Sequence, residues 1–383
     1  MTYKLQDVYD SANRELFTVI STFAGGGGSS TGYKLSGGKI LAFNEFVDAA
    51  VNTYLENYPN TPHLDGDIKN IDGQDFLNLT NLKVGELDIF DGSPPCSAFS
   101  TNGKRNKGWN KTKNYSDGKK VTNIEDLFLE YIRVANGLQA KVMIAENVAG
   151  LLESAAAKKF SFFFNEIEKI GYTMTYFKLN AKDYGTSQSR TRVFIVGIRN
   201  DVLDDLGIDR LCLYNLLKPK PQAIVPLGSV IGDIENDVDE LKLLIEAAQK
   251  NPTTVKYLNA MPKNPLKVLN ASNLDKSINP TSNYFNLYRC SAYSYSPVIT
   301  ALGASKLGIS SVMHYNEDRK FTVKELKRVM GLPDDYRLSG TREQQCERIG
   351  RMVAPLCLTK LVDKIYENIL KPYNLKNKGV HQL

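Results

Sequence analysis

The chain has 383 residues, 42% hydrophobic and 23% charged, with a formal net charge of +6. That balance excludes a disordered or low-complexity chain, and the length predicts two domains of unequal size. No apolar run reaches bilayer length, the first residues lack a signal peptide's layout, and five cysteines without a CxxC pair beside three histidines exclude a disulfide framework and a zinc site. The composition predicts a soluble protein of a reducing compartment, and its positive charge fits a polyanionic partner.

In chain order, residues 16–23 read as a strand that runs directly into the glycine run 25–28. Such a run lets backbone approach a ligand closely, with the next helix's amino terminus behind it; a tight turn is the plainer reading. Residues 40–43 form the next strand and end in Asn44-Glu45. An acidic side chain about 20 residues past a glycine run is where nucleoside-binding sheets meet ribose hydroxyls. The phosphate-loop lysine pattern is absent, which argues against an NTPase. Residues 48–58 are helical, and 64–68 form a weak short strand with Asp67 at its end. Asp67 is a candidate for an adenine amino group, or simply a turn residue.

Residues 87–90 read as a buried strand that breaks at Gly92, after which Pro94 and Pro95 present Cys96 on a stiff turn. A cysteine held at the carboxyl end of a sheet strand can serve as a nucleophile, although most lone cysteines are small buried apolar residues. Lys104, Arg105, Lys107, Lys111, Lys113, Lys119 and Lys120 crowd the glycine- and asparagine-rich loop that follows, which also holds the only tryptophan, Trp109. A helix over 124–138 leads to a strand at 142–145 that ends in Glu146-Asn147. If the Cys96 and Glu146 strands are neighbours, thiol and carboxyl face one crevice, and a buried glutamate there is costly unless paired or partly protonated.

A helix over 160–170 and strands at 173–179 and 193–198 follow, the last entered from Gln188-Ser-Arg190-Thr-Arg192. Arginines alternating along extended backbone point to one face, so both are expected to face the crevice, with salt bridging as the plainer role for one of them. The alternation predicts a doubly wound, mostly parallel α/β domain over residues 1–199. From about residue 200 the alternation is lost. A smaller domain is expected over 200–295, with a helix at 238–249 and a tyrosine-rich stretch at 284–295. A terminal segment over 296–383 carries helices at 322–330 and 343–370, its last helix returning to the first domain and its last dozen residues disordered.

Taken together, the motifs resemble the DNA cytosine-5 methyltransferase family over nearly the whole chain, in the family's order. The Phe23-Ala-Gly25-Gly-Gly27-Gly segment resembles its cofactor-binding first motif. Asn44-Glu45-Phe46 and Gly66-Asp67-Ile68 resemble its ribose and adenine motifs. Pro95-Cys96-Ser-Ala-Phe-Ser100 resembles the nucleophile motif, and Lys104 and Arg105 fall in something like its mobile catalytic loop. Glu146-Asn147-Val matches its ENV motif, and Gln188 to Arg192 its QxRxR. Residues 296–300, 321–336 and 350–355 resemble its later motifs. Two departures stand out: Ser97 replaces the usual Gln after the nucleophile, and Arg351 and Ala354 intrude on the last motif.

The resemblance implies a class-I, Rossmann-like methyltransferase fold of bacterial or phage type with a target-recognition domain. It implies S-adenosyl-L-methionine as cofactor, held by Phe23, Gly25, Gly27, Glu45, Phe46, Asp67 and Ile68. Cys96, Glu146, Arg190 and Arg192 are the implied catalytic groups. Pro95, Asn147, Ser100, Lys104 and Arg105 would serve the base pocket and the DNA. The substrate would be a flipped cytosine in double-stranded DNA, acted on by a cytoplasmic, metal-free monomer with a possible cognate restriction endonuclease. The rivals are an RNA (tRNA) cytosine-5 methyltransferase on the same motifs and a non-catalytic DNA-binding relative. The long basic loop and separate recognition segment favour DNA, and intact Cys96, Glu146 and Arg192 favour catalysis.

Overall fold

Short apolar runs bounded by glycine, proline and asparagine become the strands of a central six-stranded sheet. The computed structural model describes residues 2–95, 113–114, 120–121, 127–153, 155–280, 287–307 and 311–380. In order come α1 (Leu5–Ala12), β1 (Phe17–Thr22), α2 (Gly28–Leu35), β2 (Gly38–Asn44), α3 (Asp48–Asn57), α4 (Gly73–Thr80) and β3 (Ile89–Gly92). Next are α5 (Leu127–Leu138), β4 (Val142–Val148), α6 (Ala155–Lys169), β5 (Tyr172–Asn180) and β6 (Thr191–Arg199). The spatial order is β2-β1-β3-β4-β6-β5. β1 pairs in parallel with β2 and β3, and β3 with β4, while β6 runs antiparallel to β4. This is the doubly wound, mostly parallel sheet that the alternation predicts.

Two compact units divide the chain. The larger, Gln6–Leu179, Thr191–Lys220 and Leu358–Leu383, contains the sheet. Its core is built from inward residues such as Ile20, Phe90, Met143 and Ile195. α5 adds a stripe of Phe128, Tyr131, Ile132, Ala135 and Leu138 at helical spacing. Burying each large side chain is worth about 1.5–3 kcal/mol. Tyr131 stacks on Phe90 with centroids 4.8 Å apart. Its hydroxyl donates to the Ile144 carbonyl at 2.9 Å, so its one polar atom is satisfied.

The smaller unit, Met1–Leu5, Asn180–Arg190 and Pro221–Cys357, has no long strand among its described residues. Short helices, including Val238–Gln249, Pro252–Ala260, Val323–Met330 and Arg342–Arg351, surround three two-residue strands. Tyr257, Leu258, Met261, Leu287 and Met313 form an apolar cluster. Beside it lies an ionic one: Arg319 donates to both oxygens of Glu325 at 2.8 Å and to both of Glu317 at 2.9 Å. His314 Nδ1 accepts the amide protons of Asn316 and Glu317, and burial pushes its pKa down to about 4.

Four expectations need correction. The strand at 64–68 does not form. Pairing there is a single bridge, Phe43 to His63, after which Gly66 at φ +122° turns the chain into a one-turn 3-10 helix, Ile68–Asn70. Pro62 has no N–H to extend a ladder. β4 runs on to Val148, so Glu146 and Asn147 lie within the strand. The helix expected at 343–370 is broken over 352–354 because Pro355 disfavours helical backbone in the residue before it. The last dozen residues were expected to be disordered, yet Lys371–Val380 is helical, tied by Lys376 to the Asp205 carbonyl and by Asn374 to Lys141.

Candidate active site

The glycine loop begins where β1 ends. Gly25 and Gly27 have φ of +56° and +92°, where an ordinary side chain is disfavoured by roughly 1–2 kcal/mol. Phe23 takes φ +50° without that freedom, a strain of about 1–3 kcal/mol held at the loop's entrance. A Cβ built on Gly25 would meet no atom within 4 Å, so the space before it is open to a ligand. Glu45, just past β2, faces this loop. Its Oε2 accepts the Gly25 N–H at 2.8 Å, and its Oε1 accepts those of half-buried Phe46 and of Val47 at 2.9 and 2.8 Å. Oε2, with a single donor, keeps a second lone pair, so the same group can still accept a ribose hydroxyl.

Asn44, to which the sequence reading assigned no role of its own, donates from Nδ2 to the carbonyls of Leu64 and Gly66 at 2.8 and 3.0 Å. It thereby places the Asp67 turn beside the loop without a third strand. Asp67 caps the 3-10 helix by accepting the Lys69 N–H at 3.1 Å, as a turn residue does. Ile68 is buried in the core, and its carbonyl accepts from Arg133 at 2.8 Å. An open space lined by left-handed glycines, with a carboxylate on one rim and a second acidic turn beyond it, fits a nucleoside cofactor.

β3 and β4 are parallel neighbours, with Gly92 opposite Ala145. An added Cβ on Gly92 would sit 2.5 Å from the Tyr131 ring and 2.9 Å from Thr22 Oγ1, so the strand reaches its turn only with glycine there. Beyond it, Asn147 Nδ2 donates to the Pro94 carbonyl at 3.1 Å, while Asn147 Oδ1 accepts the Val148 N–H at 2.9 Å. Asn147 therefore ties the proline turn to the strand that carries Glu146. Glu146 pairs with Arg192 at 3.0 Å, both largely buried, across the β4–β6 ladder where Val148 lies opposite Arg192. Pro95 is half-buried at the end of this turn. Cys96, Ser97, Ser100, Lys104, Arg105 and Trp109 lie outside the described residues.

Arg190 does not share Arg192's position. Its guanidinium donates to the carbonyls of Ile299, Gly350 and Met352 at 3.2, 3.1 and 2.8 Å, all within the smaller unit. Gln188 supports the same segment, its Oε1 accepting the Ile299 N–H at 2.9 Å. The expected alternation fails because β6 starts only at Thr191. Arg351, a departure in the last motif, pairs with Glu347 at 2.6 Å.

The profile of the C-5 cytosine-specific DNA methylase family matches residues 17–367. The chain belongs to that family. It is an enzyme that transfers a methyl group from S-adenosyl-L-methionine to carbon 5 of cytosine in DNA. Among curated relatives, the Type II methyltransferase M1.HphI of Haemophilus parahaemolyticus is 27% identical over 92% of this chain and 87% of its own length. Type II methyltransferase M.Eco47II of Escherichia coli is 28% identical over 94% and 81%. Among solved structures, the DNMT2 of Spodoptera frugiperda matches with a TM-score of 0.63 at 19% identity, covering 91% of this chain and 99% of that one. S. pombe Dnmt2 methyltransferase matches at 0.58 and 17%, covering 94% and 99%. At those identities the likeness is one of fold, the class-I methyltransferase fold. No helix among the described residues is long and apolar enough to cross a membrane.

Proposed function

We propose that Cys96 is the nucleophile, Glu146 the acid and Arg192 the anion-binding group of cytosine methylation. The observation that carries this reading is the parallel β3–β4 pair, with the Asn147–Pro94 bond beside the Glu146–Arg192 pair. Pro94, tied by that bond to the strand that carries Glu146, precedes Cys96 by two residues in sequence.

Carbon 5 of cytosine is too weak a nucleophile to take a methyl group unaided. Addition of the Cys96 thiolate to carbon 6 forms an S–C bond and moves the ring's π electrons onto carbon 5. Glu146 stabilises the adduct with a proton at ring nitrogen 3, and the Arg192 guanidinium binds the exocyclic oxygen. S-adenosyl-L-methionine, when bound, supplies the electrophilic methyl. Release of the carbon-5 proton to solvent water leaves its electron pair to form the C5–C6 double bond and break the C6–S bond, which expels the thiolate and restores the ring. The base must leave the stack to reach this site, with Pro95, Asn147 and Ser100 lining the pocket and Lys104 and Arg105 on phosphates.

Phe23, Gly25, Gly27 and Phe46 cradle the cofactor, Glu45 takes its ribose, and Asp67 with Ile68 its adenine. Residues 200–295 read the target in double-stranded DNA. The enzyme works as a cytoplasmic monomer, and the Type II names of its relatives support a cognate restriction endonuclease as partner.

Cys96→Ser should abolish methyl transfer and retain DNA binding, because a hydroxyl is far less ionised than a thiol. Denaturing gels with 5-fluorocytosine DNA should show a covalent adduct only with Cys96 present. An adduct with the serine variant overturns the assignment.

A further inference from the structure

Two aspartates three residues apart, one just before β3 and one within it, receive different kinds of partner. Asp88 takes the Lys141 ammonium at 2.6 Å and the Thr18 N–H at 2.8 Å, a charge met by a countercharge. Asp91 is 2% exposed, and among the described residues its side-chain donors are hydroxyls. Ser21 Oγ donates to Oδ2 at 2.6 Å and Tyr33 OH donates to Oδ1 at 2.9 Å. The Asp91 carbonyl also accepts from Thr22 Oγ1 at 3.0 Å.

These partners bracket the glycine loop. Ser21 and Thr22 are the last residues of β1 before it, and Tyr33 lies on α2 after it. Cys96 follows Asp91 by five residues on the same stretch of chain. We propose that Asp91 is a positioning residue that pins both ends of the glycine loop to the strand leading into the nucleophile turn, and so sets the loop's geometry for S-adenosyl-L-methionine. This rests on the reading of that loop as the cofactor cradle.

A carboxylate suits the task because both oxygens are pure acceptors, whereas protonation turns one into a donor and releases a hydroxyl. Burial, with help from the charge of Glu146 on β4, pushes the Asp91 pKa up to about 6, against the pull of Ser21, Tyr33 and Ser29. The other groups around it are Tyr33 on α2, Tyr54 on α3 and Tyr131 on α5, and Glu146 is itself paired with Arg192. Burial, then the Asp91 charge, hold Tyr33 well above its usual range, so it remains a donor at neutral pH. Binding that favours ionised Asp91 must weaken as pH falls through about 6.

The test is calorimetric titration of the folded full chain with S-adenosyl-L-methionine, without DNA, from pH 7 to pH 5. Tyr33→Phe and Ser21→Ala, which each release one end of the loop, should raise Kd roughly 3- to 10-fold. Asp91→Asn should raise it about 10-fold at pH 7 and flatten the wild-type rise toward pH 5. Glu45→Ala serves as the control for the cradle itself. If the three variants bind within twofold of wild type while Glu45→Ala is weakened, the proposal falls and the cradle stands, even if melting temperatures drop. If Glu45→Ala also binds normally, the cradle reading falls with it.

Discussion

The two units of this chain put their charges in opposite places. In the larger, the strand interiors are mostly apolar, with Asp91 held by hydroxyls, and the Glu146–Arg192 pair stands at the carboxyl edge of the sheet, 13% and 18% exposed. In the smaller, Arg319 and Glu325 are each 1% exposed and sit inside the fold. The difference follows from what each unit can bury. Six packed strands supply enough apolar surface to leave charges free for chemistry. Two-residue strands and short helices do not, and buried ion pairs take over part of the framework. A charge substitution should therefore read as lost activity in one unit and lost stability in the other.

The largest expected effect breaks the smaller unit. Arg319→Leu would leave the carboxylates of Glu325 and Glu317 without the guanidinium that holds all four of their oxygens. Removing one partner of a buried pair costs about 3–5 kcal/mol. Denaturant unfolding should show a loss of that size, and a shift below about 1 kcal/mol would mean that the ionic cluster is decoration. Glu146→Gln tests the other side. It keeps the shape of the side chain and an acceptor oxygen for Arg192, so stability should change less than at Arg319. Turnover should fall roughly 100-fold or more, the scale of a lost general acid, or about 2.7 kcal/mol of barrier. A large loss of cofactor affinity with turnover per bound cofactor intact would move Glu146 out of the base pocket.

The same contrast explains what could be read from sequence. The strands of the larger unit were legible because buried parallel strands are continuous apolar runs, and the helix Val238–Gln249 matched its periodicity residue for residue. The stretch at 64–68 misled because Leu64 and Ile68 are apolar for core packing, not for sheet pairing. α1 gave little sign of itself, with Val8 as its single buried residue. α4 did carry a usable signal, the capping box of Asp72 and Asp75. At the site, an acidic side chain beside the glycine run was legible at Glu45, and a salt bridge for one of the two arginines is what Arg192 makes with Glu146. The separate employment of Arg190 was not, since alternation assumes a strand and β6 begins one residue later. Asp91 was invisible for a related reason: its meaning lies in Ser21 and Tyr33, which are 70 and 58 residues away in sequence.

A smaller effect is expected at the cofactor rim. Glu45→Ala removes the carboxylate that accepts the Gly25 amide and is assigned to the ribose. S-adenosyl-L-methionine affinity should fall by about 1.5–3 kcal/mol, the worth of a charge-assisted hydrogen bond, with DNA affinity in its absence unchanged. Unchanged cofactor binding would mean that the first two strands have been assigned to the wrong ligand.

The smallest effect should come from charges that serve neither a core nor the reacting base. Lys104, Arg105 and Lys107 occur among Gly and Asn just after Cys96, a composition too polar to bury a core of its own. Each lysine alone is most simply a solvated surface charge. As a group beside Cys96 they have a polyanion to meet whenever a base is drawn into the site. Neutralising all three should weaken DNA binding modestly and leave stability untouched. The diagnostic quantity is the salt slope, because each phosphate left without its cation flattens log K against log salt by about 0.9. Fluorescence of the single Trp109 in the same loop should change when cognate DNA and cofactor product bind together, and less so in the neutralised variant. An unaltered slope with silent Trp109 would assign these cations to solvent and leave DNA affinity to residues elsewhere in the chain.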